Sequence, residues 1–101
     1  MRSGYRILWS EKAIFDLQNI LYYLNNKWTE KEVRDFSKRL DKRLNLISIN
    51  LRLFPKTNKR KNVRRSVLTK HTVIYYKTSN EMIKIVTLFD SRQDPNKLRF
   101  K

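Results

Sequence analysis

The chain has 101 residues, 40% of them hydrophobic and twelve of them aromatic, with a formal net charge of +15. That is enough apolar content for one folded domain with a modest core, spanning 1–101, rather than a basic disordered tail. With no cysteine, one glycine (Gly4) and one histidine (His71), disulfides, thiolate metal sites, zinc motifs and glycine-rich phosphate loops are excluded, so neither metal nor cofactor is expected. No apolar run has the length of a signal peptide or a membrane span, which predicts a cytoplasmic protein with no membrane partner.

Tyr5–Trp9 alternates as a short strand, with Tyr5, Ile7 and Trp9 on one face. Ser10 then offers an N-cap, and Ala13, Leu17, Ile20, Leu24 and Trp28 recur at helical spacing, with Ile14 and Leu21 widening the stripe. Thr29 and Glu32 form a capping box for a second helix, with Trp28 placed to staple onto Val33. Val33, Phe36, Leu40, Leu44, Ile47 and Leu51 follow in steps of three or four until Pro55, a helix of roughly 22 residues and about 33 Å. After the basic loop Lys56–Asn62 the period changes to two. Val63–Thr69, His71–Thr78 and Met82–Phe89 read as strands, the last two joined by a turn at Thr78–Glu81. Asp94-Pro95 opens a short terminal turn or helix through Leu98.

The order predicts a two-layer α+β domain, β-α-α-β-β-β-(α). A helical hairpin packs on one face of a small, mainly antiparallel sheet and leaves the other face open.

Charge is distributed unevenly. Between Asp41 and Glu81 there is no acidic residue but there are eleven Lys and Arg, so a negatively charged partner is expected. On the predicted fold, Lys42 to Arg52 decorate the outer side of the second helix and Lys56 to Lys61 occupy a loop. Arg64, Arg65, Lys70 and His71 approach the open sheet. Alternation sends only one of Arg64 and Arg65 over that face, and which one depends on the register. With Arg92 after the last strand, these residues would form a basic concavity able to hold phosphate. Arg92 equally fits a local salt bridge to Asp90 or Asp94. Tyr75, Tyr76 and Phe89 fit either base stacking or plain core packing. No paired carboxylates and no nucleophile beside a base stand at a recognisable spacing, so an enzyme built on this chain would work through Arg and Lys.

Several segments together resemble the RelE/ParE superfamily of toxins from bacterial type II toxin–antitoxin systems. They are Trp9-Ser10, Asp16-Leu17, Ile20, Tyr23-Leu24 and Trp28, then Phe36, Leu40 and Leu44 leading to Phe54-Pro55. Val63-Arg64-Arg65, Val73-Ile74-Tyr75-Tyr76 and the Asp90-x-Arg92-x-Asp94-Pro95-x-x-Leu98 tail complete a match over nearly the whole chain. The resemblance implies a toxin neutralised by an acidic antitoxin that masks its working surface. ParE-like members poison DNA gyrase, whereas RelE-like members cleave messenger RNA on the ribosome without a metal.

Arg92 matches the position of the superfamily's C-terminal catalytic arginine, and Arg65 falls near a basic position on the second strand. The nucleases usually carry Arg where this chain has Thr72, and Tyr or His where it has Leu98. The ParE-like reading is therefore favoured: a non-enzymatic inhibitor that uses Arg64, Arg65, Lys70 and Arg92 on its target or antitoxin. The alternative is a nuclease with Arg65 and Arg92 stabilising charge and His71 moving the proton. A non-toxic nucleic-acid-binding module and a degenerate relative are the remaining alternatives.

Overall fold

A computed structural model describes residues 5–27, 29–50, 54–56, 62–79 and 82–91. Its elements are β1 (Arg6–Trp9), α1 (Glu11–Lys27), α2 (Glu30–Ile49), β2 (Val63–Val67), β3 (Thr72–Ser79) and β4 (Met82–Asp90). The α+β architecture is as expected, and the strand boundaries fall within two residues of the expected ones. The second helix is shorter than its apolar spacing implies: it ends at Ile49, and the extended Asn50 (φ −137°, ψ 92°) caps it before Leu51. The expected Trp28 staple and the terminal turn at 94–98 lie outside the described residues.

The helix starts are built as their sequences dictate. The Ser10 Oγ accepts the Ala13 N–H at 2.9 Å, and the Thr29 Oγ1 accepts the Glu32 N–H at 3.3 Å, each satisfying a donor left over in a first turn. The apolar stripes of the two helices meet the sheet through Ala13, Ile20, Leu24, Phe36, Leu40 and Ile47. Ile14, expected within the stripe, is instead exposed, as are Phe15 and Tyr22.

The strands lie in the order β1-β4-β3-β2. β1 runs parallel to β4, while β3 pairs antiparallel with both β4 and β2. In β4 a register shift matches Tyr75 to Thr87 but Tyr76 to Ile85, leaving Val86 as an extra residue. Such a bulge resets the alternation, so Ile85 and Leu88, three apart, both reach the core. Asn62 enters β2 with φ 66°, a left-handed conformation that asparagine tolerates better than most side chains.

β1 is four residues long and β4 nine, so the second half of β4 has no strand on that side. The first turns of α1 take the strand's place. The Ser10 N–H donates to the Ile85 carbonyl and the Ser10 hydroxyl to the Val86 carbonyl. The Asp16 carboxylate accepts the Leu88 N–H at 3.3 Å and the Thr87 hydroxyl, and Lys12 Nζ holds both of its oxygens at 3.0 and 3.1 Å. Polar side chains of the helix thus finish a ladder that would otherwise end in buried, unpaired groups. Among the described residues no helix is long and apolar enough to cross a membrane.

Candidate functional site

The register decides which arginine faces which way. Arg64 stands opposite Tyr76, a member of the core under the helices, and Arg65 stands opposite Tyr75, which lies outside that cluster. Arg64 is therefore on the helix side. Its guanidinium donates to the Phe54 carbonyl at 2.7 Å and pins the segment before Pro55. Arg65 is half-buried on the outer face, and its main-chain N–H donates to the Pro55 carbonyl.

Arg43 corrects the picture of an undifferentiated basic surface on α2. Its guanidinium donates to the Ser66 Oγ at 2.6 Å and the Val67 carbonyl at 2.8 Å, and lies 5.3 Å from the centre of the Phe54 ring. It clamps α2 to the edge strand instead of serving a partner.

Lys70 is exposed in the β2–β3 turn. Next to it, His71 is half-buried, and its carbonyl accepts the Ser91 N–H at 2.7 Å, joining this turn to the end of β4. Arg92 itself, with Asp94 and Leu98, lies outside the described residues. Thr72 is fully buried, and its hydroxyl donates to the buried Asp90 at 3.3 Å. Base stacking is not available to Tyr75 or Tyr76, which are 2% and 0% exposed. The Tyr76 hydroxyl has no hydrogen-bond partner among the described residues. Burial pushes its pKa up; the Arg64 charge and the Phe54 main chain act in the opposite direction, the latter without closing a hydrogen bond.

The outer face of the sheet carries a row that sequence reasoning missed. Alternation and register put Arg6 of β1, Lys84 of β4, Lys77 of β3 and Arg65 of β2 on the same side, one cation per strand. No carboxylate shares that face among the described strand residues. Lys77 and Lys84 are direct partners across the β3–β4 ladder. The four cations are scattered along the sequence, and only the strand order assembles them. Among the described residues no group of three His, Cys, Asp or Glu side chains could hold a metal ion.

A helical hairpin over a small mixed sheet, with a basic outer face, defines a small α+β protein. A family model described as the ParE toxin of type II toxin-antitoxin system, parDE, matches residues 7–95. The chain belongs to this ParE toxin family. Among solved structures, it is similar to a chain of the chromosomal ParDE TA system from P. aeruginosa, at a TM-score of 0.72 and 12% identity, covering 86% of this chain and 96% of that one. It is also similar to a copper-bound mutant toxin from Helicobacter pylori, at a TM-score of 0.51 and 12% identity, covering 87% and 96%. At such identities these two likenesses speak for the fold alone. No curated protein sequence matches the chain significantly.

Proposed function

We propose that this ParE-family protein is held by an acidic antitoxin and, once free, arrests growth by binding a macromolecular target of the DNA gyrase type rather than by cutting RNA. The observation that carries this reading is the outer sheet face. It presents Arg6, Lys84, Lys77 and Arg65, and among the described strand residues neither a carboxylate nor a histidine points to that face. Fixed cations recognise charge but do not shuttle protons near neutral pH. The burial of Thr72, where the superfamily's nucleases usually carry Arg, points the same way.

The antitoxin would cover this face, with Arg65 and Lys70 of the sequence-derived set on or near it. Arg64 would act only through the fold, and Arg92 remains a candidate contact. Inducible expression should arrest growth, with relief by the product of an adjacent gene. Supercoiling by purified gyrase should fall, and mapped transcript 5′ ends should not change. New transcript ends that vanish in R65A, H71A or R92A would replace this reading with the nuclease one. The contact that favours the nuclease is the Ser91–His71 hydrogen bond, which keeps His71 beside the residue preceding Arg92. Unaffected growth with steeply salt-dependent DNA or RNA binding would instead identify a simple nucleic-acid-binding module.

A further inference from the structure

Where the first turn of α1 meets the outer face, Ser10, Lys12, Lys77, Lys84 and Val86 line one cleft of about 210 Å³. Three ammonium-bearing side chains from three elements therefore border a single small space. Lys12 is tethered there by Asp16 and by Thr87 Oγ1 at 3.2 Å. Lys77 and Lys84 are directly opposed across the ladder, an arrangement of like charges that costs stability while nothing lies between them. No described carboxylate pairs with either one.

We propose that this cleft binds one dianionic phosphate group. Charge selects the class. Lys12, Lys77 and Lys84 bring three positive charges and Asp16 cancels one, leaving a surplus that a phosphate monoester or inorganic phosphate, at about −1.5 to −2 near pH 7, matches. A carboxylate or a backbone diester would leave half of that surplus standing. Size points the same way, because the space is below the roughly 300–1,000 Å³ of pockets that enclose drug-sized ligands. It suits one tetrahedral oxyanion and its water, with any attached nucleoside left outside. The inference is independent of which target the toxin poisons.

The test is an amide NMR titration of the intact protein at constant ionic strength, with inorganic phosphate, adenosine 5′-monophosphate and acetate as separate probes. Saturable shifts confined to the neighbourhood of residues 10–12, 77 and 84–86 are expected for both phosphates, with acetate about tenfold weaker or more. Equal affinity for the two phosphates assigns recognition to the phosphate group alone, and tighter binding of the nucleotide adds a contact from the nucleoside; either outcome supports the site. K77Q and K84Q should each weaken phosphate binding about tenfold, while K42Q on α2 leaves it unchanged. Phosphate should also raise the thermal midpoint of the wild type but not of K84Q, which reports on the site even if one variant folds poorly. Acetate binding as tightly as phosphate, or shifts that do not saturate and spread over many lysines, would overturn the proposal.

Discussion

Replacing Asp16 with alanine tests whether the start of α1 stands in for a missing strand. The carboxylate is 13% exposed and receives the Leu88 N–H, the Thr87 hydroxyl and the Lys12 ammonium. Lys12 is partly exposed and recovers water when its partner is lost, so it adds little to the cost. Thr87 and Leu88 are 1% and 3% exposed and cannot. Stranding two buried donors at about 1–3 kcal/mol each predicts a loss of about 3 kcal/mol for D16A, after some relaxation. D16N keeps an acceptor but not the charge, and should lose about 1 kcal/mol.

The assay is urea unfolding followed by circular dichroism. With a slope of about 1.5 kcal/mol/M, the D16A midpoint falls by about 2 M at unchanged slope. A companion T87V removes one of the donors, so D16A on that background should cost about 1 kcal/mol less than on the wild type. A D16A loss below about 0.5 kcal/mol, identical in both backgrounds, would refute the account of this edge.

R43M keeps the aliphatic stem of Arg43 but removes two charge-assisted hydrogen bonds to β2. It should lose about 2–3 kcal/mol in the same unfolding assay, with R43K intermediate because the planar fork is lost. Y76F should be neutral or stabilising by up to about 1 kcal/mol at pH 7, since the hydroxyl it removes is buried without a partner among the described residues. The Tyr76 pKa is raised in the fold, so above about pH 10 the native state holds a proton that the unfolded chain releases, and wild-type stability falls with rising pH. Y76F should lack this component, and wild-type and Y76F stabilities measured at pH 8 and above pH 10 will reveal it. R65E should weaken antitoxin binding while leaving the melting temperature near the wild-type value. R64A should lower the melting temperature, because Arg64 holds the Phe54 carbonyl. Calorimetric titration beside thermal unfolding separates the two.

The helices were legible because three- and four-residue spacing and the Thr29–Glu32 pair are local signals. The strands were legible from their alternation. What could not be read was the pairing. The choice between Arg64 and Arg65 rests on which residue of β3 each one meets, and the bulge at Val86 cannot be counted out from periodicity. The acid-free stretch points to Arg64, Arg65, Lys70 and His71, yet of these only Arg65 joins the outer row, together with Lys77 from the same stretch. Arg6 and Lys84, isolated in sequence, join it because β1 pairs with β4. Arg43 looked like surface charge because a helix periodicity places it outside the apolar stripe, and nothing local says that an edge strand passes beneath it.

The position of β4 has a consequence for synthesis. It is the strand on which β1, α1 and β3 all pack, yet it follows every one of them along the chain. A nascent chain that has not reached residue 82 lacks Ile83, Ile85 and Leu88 of the core, the strand on which α1 packs, and the partner of β1. Translation interrupted earlier therefore yields a substrate for chaperones and proteases, not a feebler toxin.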